Sequence, residues 1–162
     1  MNYFPPEECP FYLITRSSLT LTSLLKKVLT DCGLDDVKPA YLGALMCLWK
    51  DENLDDMLSK FGSRDGMKLS ELGLCAGLEP STMTGLIDRM ERDGLVYRSS
   101  DPNDRRAQQV KLTERGVKIQ SAVFEAIERM FTQAFDGIAS GDMSVVKKVL
   151  RTILANANKG GA

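Results

Sequence analysis

The sequence predicts a mainly α-helical fold with one small β-hairpin, and three observations carry that expectation. Apolar residues recur at helical spacing in segments spread along the chain. Two of those segments are short and meet at a tight turn around Gly77 and Pro80. Directly after them, two stretches that favour extended backbone flank a charged turn. Two helices, a turn and a hairpin in that order make a winged helix-turn-helix.

Met1 to Cys9 holds Pro5 and Pro6 and no period, so an extended arm is expected. From Pro10 a helix should run to about Cys32, with Ile14, Ser17, Leu21, Leu24, Leu25 and Val28 as its inner stripe and Gly33 as its stop. Pro39 opens a second helix, with Leu42, Leu45, Met46 and Trp49 inward. Residues 51–67 then read as an insertion. Its Leu54, Met57, Leu58 and Phe61 fall at i, i+3, i+4 and i+7, which predicts a short extra helix closed by Gly62.

Ser70 is a candidate cap for the first helix of the central pair, its hydroxyl accepting a free first-turn N–H. Gly77 suits the left-handed residue that closes that helix. Pro80 opens the next at a position where its missing N–H costs nothing. There Met83, Leu86, Ile87 and Met90 form one apolar stripe, while Ser81, Thr82, Thr84, Asp88 and Arg89 occupy the other face and Gly94 ends the helix. Leu95 to Ser100 reads as a strand, Asp101 to Arg106 as a turn, and Gln109 to Thr113 as a second strand. Thr113 can cap a helix running from Glu114 to about Asp136, with Val123, Phe124, Ile127, Met130, Phe131, Ala134 and Phe135 on its apolar face. Ser140 is a candidate cap for a last helix near Gly141 to Ala157, with Val146, Val149, Leu150, Ile153 and Leu154 inward.

The central stretch resembles the MarR family of bacterial regulators. The marks are Leu69-Ser70-Glu71-Leu72, Ser81-Thr82-Met83-Thr84, Leu86-Ile87-Asp88-Arg89-Met90-Glu91, Gly94-Leu95-Val96, Asp101-Pro102-Asn103-Asp104-Arg105-Arg106, and Val110-Lys111-Leu112-Thr113 through Gly116. They cover about a third of the chain, and the wing followed by its leucine-threonine strand end is their most specific part. The resemblance implies a sequence-specific, cytoplasmic, DNA-binding repressor that binds double-stranded DNA as a homodimer. The flanking helices agree, because they carry more apolar face than residues 67–118 can bury. The simplest partner for them is a second copy in a two-fold dimer, which also places two recognition helices about 34–36 Å apart. Three regions follow: 1–38, an arm and dimerisation helix; 39–118, the DNA-binding winged helix with the insertion; and 119–162, the C-terminal dimerisation helices.

Composition narrows the function. The chain has 162 residues, a hydrophobic content of 43% and no histidine. Lacking histidine, it has no Ser–His or Cys–His catalysis and no His-containing metal site, so neither an enzyme nor a cofactor is expected. The four cysteines, Cys9, Cys32, Cys47 and Cys75, never form C-x-x-C, which argues against a zinc ribbon and suits a reducing compartment. Cys47 and Cys75 lie on apolar stripes and are expected in the core. No apolar run reaches membrane-spanning length and the N-terminus has no basic leader, so no membrane partner is expected. A net charge of −1 is modest for a DNA-binding protein. The arginines and lysines, however, concentrate in and beside the winged helix, and the acids mostly upstream.

The candidate DNA contacts are Ser70, Ser81, Thr82, Thr84, Arg89, Arg105 and Arg106. Hydroxyls at a helix N-terminus suit phosphates and base edges, and a wing arginine suits a narrow minor groove. The resemblance gives that groove role to Arg106. Asp101 and Asp104 are expected to hold the wing arginines by ion pairs that position more than they stabilise. Many family members bind small aromatic acids or phenols, which makes Tyr12, Arg16, Tyr41 and Trp49 candidates for an effector pocket; core packing explains the aromatic residues equally well. Two alternatives stand beside the ligand-responsive reading. One is peroxide sensing through Cys9 at the start of the first helix. The other is a protein-interaction module that does not bind DNA, which predicts a neutralised wing where Arg105 and Arg106 are in fact intact.

Overall fold

The structure, a computed structural model, describes residues 5–49, 66–100 and 108–159. It is mainly helical with a small antiparallel sheet, and it divides into two compact units, residues 1–130 and 131–162. In the first unit, Pro6–Glu8 forms a single 3-10 turn where an extended arm was expected, because proline presets φ near the helical value and Glu8 N–H bonds back to the Pro5 carbonyl at 2.9 Å. Helix α1 follows as Pro10–Asp31 and stops at Gly33, with φ +72°. Only its last turns enter the core, through Leu25, Val28 and Leu29. Residues 11–20 are all exposed, Ile14 and Ser17 of the expected stripe among them. A 3-10 turn at Pro39–Tyr41 leads into α2, Leu42–Leu48, and Trp49 at its end is buried. The expected helix between Leu54 and Phe61 lies outside the described residues.

A third strand appears that has no period long enough to be read. Met67–Lys68 forms β1, pairing Met67 with Val110 and Lys68 with Gln109. Gly66 allows the approach: a Cβ there would stand 2.7 Å from Lys111 Cγ and 2.9 Å from the Val110 carbonyl. Because β1 runs straight on, helix α3 begins at once, spanning Leu69–Ala76 with extended Lys68 as its cap residue. The Glu71 carboxylate accepts from Lys68 N–H at 3.2 Å, one half of a capping box. Ser70 is therefore inside the first turn and is not the cap.

Helix α4, Pro80–Arg92, buries Met83, Leu86, Ile87 and Met90 as its spacing predicts, and Gly94 turns the chain with φ +71°. Strands β2, Val96–Ser100, and β3, Gln108–Leu112, pair antiparallel from Val96↔Leu112 to Ser100↔Gln108, giving the sheet order β1-β3-β2. Thr113 caps the next helix by accepting from Gly116 N–H at 2.9 Å. The expected continuous helix from Glu114 is broken in two: α5, Glu114–Lys118, and α6, Gln120–Ala134, meet at Ile119. The cause is Trp49. Its Nε1–H donates to the Gly116 carbonyl at 2.7 Å, the acceptor a continuous helix would offer to Gln120 N–H.

In the second unit, Gly137 turns the chain at φ +77° and α7 spans Ser140–Lys159. Ser140 is its first residue and not its cap, since Met143 N–H already bonds the Ala139 carbonyl. Phe131 and Phe135 stack at 5.2 Å between ring centres. Val146, Val149, Leu150, Ile153 and Leu154, expected inward, are exposed in the single chain.

Cys47 is buried as expected and Cys75 is half-buried, but the two are joined in a disulfide between α2 and α3, with Cα atoms 6.2 Å apart, where thiols suited to a reducing compartment were expected. Small residues bring the helices together there, since a Cβ on Gly43 would be 3.5 Å from Ala76 Cβ. The bond closes a loop across a sequence separation of 28, which by chain entropy is worth about 3–4 kcal/mol. Cys9 and Cys32 are free. Reductant should lower the unfolding free energy of the wild type by about 3 kcal/mol and leave Cys75→Ser unmoved, read by urea denaturation of each protein with and without dithiothreitol.

Candidate nucleic-acid interface

The two faces of α4 have opposite chemistry. With its apolar stripe in the core, 3.6-residue periodicity turns Ser81, Thr82, Thr84, Asp88 and Arg89 outward, and all five are exposed. Thr84 Oγ1 donates to the Pro80 carbonyl at 2.9 Å, which fixes its rotamer and leaves its lone pairs outward. Ser70 is exposed on α3. Asp101, Asp104, Arg105 and Arg106 lie outside the described residues.

The hairpin is tied to α4 by a residue that sequence reading counted only among the basic ones. Arg98 on β2 reaches Asp88 Oδ1 through Nη2 at 2.7 Å and pairs with Glu91 through Nη1. The other Glu91 oxygen accepts from Arg98 N–H at 2.8 Å. One guanidinium thus compensates two carboxylates of α4 and sets the hairpin against that helix. The available signal was weak: two acids three apart on one helical face, followed closely by an arginine in a strand.

The C-terminal end of α4 is held separately. Asp93, the residue at its cap, accepts the Tyr41 hydroxyl on Oδ2 at 2.7 Å. The Asp93 carbonyl accepts Arg115 Nη1 at 2.6 Å, and Arg115 Nη2 pairs with Asp36. Thr113 Oγ1 donates to the Gly94 carbonyl at 2.7 Å. Burial, and then the bond to the Asp93 carboxylate, push the Tyr41 phenol up to about 12, so it remains a donor at neutral pH.

Tyr41 and Trp49 are therefore core residues whose polar atoms have partners inside the fold, and the Trp49 ring lies 5.8 Å from that of Phe124. Tyr12 and Arg16 are exposed on the first half of α1. Cys9 is half-buried just before that helix. Among the described residues no group of three or more acidic or cysteine side chains could hold a metal ion, and no helix is long and apolar enough to cross a membrane.

Comparison with known proteins places this geometry. The family model described as "MarR family" matches residues 56–107. An uncharacterized helix-turn-helix transcriptional regulator of Bacillus subtilis strain 168, YfiV, is 30% identical over 143 residues, covering 84% of this chain and 84% of its own. The helix-turn-helix transcriptional repressor IacR of Pseudomonas putida is 26% identical over 153 residues, covering 94% of this chain and 82% of its own. Among solved structures, the PcaV transcriptional regulator of Streptomyces coelicolor, in complex with its natural ligand, superposes with a TM-score of 0.78 at 20% identity, covering 97% of this chain and 99% of its own.

Removing the Arg98 side chain should strand two carboxylates on α4. Since Asp88 keeps much of its side chain in water, the expected loss for Arg98→Ala is only about 1–2 kcal/mol. Asp88→Asn in the same chain should recover part of it, a double-mutant cycle that thermal denaturation can read.

Proposed function

The chain belongs to the MarR family of DNA-binding transcriptional regulators, and from that premise we propose that it is a ligand-responsive, homodimeric repressor of a two-fold operator. The observation that carries the proposal is the division of α4 into a buried apolar stripe and an exposed face of Ser81, Thr82, Thr84, Asp88, Arg89 and Arg92, held beside an antiparallel hairpin. In this reading α4 is the recognition helix. Ser81, Thr82 and Thr84 at its N-terminal end meet base edges and phosphates, where backbone N–H groups and the helix dipole also favour anions. Ser70 and Arg89 contact phosphates on either side. Arg106 enters the minor groove, with Arg105, Asp101 and Asp104 holding the wing around it.

The dimer reading rests on exposed apolar surface. Phe11, Leu13, Ile14 and Leu19 on α1, Phe131 on α6 and the Val146–Leu154 face of α7 are all exposed in the single chain. Exposed apolar surface of that extent, in each unit taken by itself, marks it for association. The repressor role follows IacR by similarity, and response to a small aromatic or phenolic effector follows the family resemblance. Tyr12 and Arg16 are the candidate effector contacts with exposed side chains.

With a net charge of −1, attraction to DNA must come from a local basic face, so salt dependence reads the contacts. Log affinity falls with log salt by about 0.9 per phosphate neutralised. Arg89→Ala should reduce that slope by about one per protomer, on operator and random duplex alike. Thr82→Ala should leave the slope and reduce the preference for operator by about tenfold, in line with roughly 1–3 kcal/mol per base-reading contact. Fluorescence anisotropy across a salt series on both duplexes decides between them; the reverse pattern would mean that α4 is rotated the other way in the groove.

Leu150→Asp tests the assembly. It would place an unpaired charge in the interface, at a cost of several kcal/mol. Sedimentation velocity should show a folded monomer, and a variant that stays dimeric would put the interface elsewhere.

A further inference from the structure

The C-terminal end of α4 is where both connections to the flanking helices converge. The chain enters the winged helix from α1 through Asp36 to Tyr41 and leaves it through Thr113 to Gly116. Tyr41, on the entering segment, bonds the Asp93 carboxylate; Arg115, on the leaving segment, bonds the Asp93 carbonyl. Arg115 also pairs with Asp36, so the two segments are tied to each other as well as to the helix end. Tyr41 is buried and its bond to half-buried Asp93 is partly shielded from water, so its loss costs more than that of a surface bond. The Arg115 guanidinium sits where the carbonyls of a helix C-terminus favour a cation. The N-terminal end of α4, with the hydroxyls that face outward, has no comparable tether among the described side-chain bonds: there the Thr84 hydroxyl bonds only within its own helix.

We propose that Tyr41 and Arg115 are positioning residues that lock the recognition helix to the flanking helices through Asp93, and so set which half-site spacing the dimer accepts. The inference rests on the operator-binding reading above. Its basis is leverage. Helix α4 has 13 residues and is thus about 20 Å long. A tilt of about 10° pivoting at Asp93 would carry Ser81 and Thr82 by about 3 Å, one base-pair step. The lock does not touch DNA. It governs register between two half-sites and leaves the contacts within each half-site unchanged.

The test uses the full-length dimer and a duplex selected from random sequence by the wild-type protein, with versions in which the half-site separation is lengthened or shortened by one base pair. Wild type should prefer the selected spacing by about 100-fold, an order of magnitude set by the loss of one half-site's reading. Tyr41→Phe, which keeps the ring in the core, should reduce that preference to below about tenfold, with the salt slope and random-duplex affinity unchanged. Asp93→Asn keeps a carbonyl acceptor for the Tyr41 hydroxyl and should retain the wild-type spacing preference. Arg115→Gln, at a half-exposed side chain, reads the other tether if Tyr41→Phe does not fold. An unchanged spacing preference in the folded variants overturns the proposal. So does an affinity loss that is equal at every spacing, which is what lost stability alone would produce. Failure of the wild type to select any duplex would instead defeat the operator reading, and the lock with it.

Discussion

The winged helix closes on one backbone contact, that of Gly116 against the carbonyl of Leu95. A Cβ on residue 116 would lie 2.1 Å from that oxygen, so no other residue fits without moving the backbone. Three features depend on this approach. Thr113 can bracket the turn after α4, its N–H on the Leu95 carbonyl at 3.0 Å and its hydroxyl on Gly94. Arg115 comes within reach of Asp93. The Gly116 carbonyl is presented to Trp49, which fastens the end of α2 and interrupts the helix that follows. The glycine is thus required by packing, and the way the end of α4 is held is a consequence of it.

The electrostatics are arranged in the same local way. A chain with slightly more acids than bases must still present a cationic face to a polyanion. Asp88 and Glu91, the carboxylates of α4 that pair with Arg98, have their charge compensated within the fold, which lessens their opposition to the field of Arg89 and Arg92. Net charge therefore says little about such a protein, and the pairing of particular acids says more.

Local features were legible from sequence. The stripe of α4, its opening proline, Gly77, Gly94 and the Thr113 cap all depend on residues within a turn or two of each other, and all stand in the structure. The misreadings have a common origin in distance. Ser70 is the stronger capping residue in isolation, but β1 pairs with a strand some forty residues further on and forces the helix to start at Leu69. The Tyr41–Asp93 bond spans 52 residues and the Cys47–Cys75 bridge 28, and neither leaves a periodic trace. Core packing is one of two readings of Tyr41 and Trp49 from sequence, but the partners of their polar atoms, Asp93 and Gly116, lie too far along the chain to be read there.

Helix α1 is divided in its burial. Its last turns are held by the core of their own chain, whereas residues 11–20 have no such support. A stretch that short is only marginally helical in water by itself. In the dimer proposed above, its order would come from the second copy, so the amount of helix in the protein would vary with concentration. Below the concentration at which the dimer forms, part of the population would have a frayed arm. Synthesis of the protein would then control how well each molecule is formed as well as how many there are.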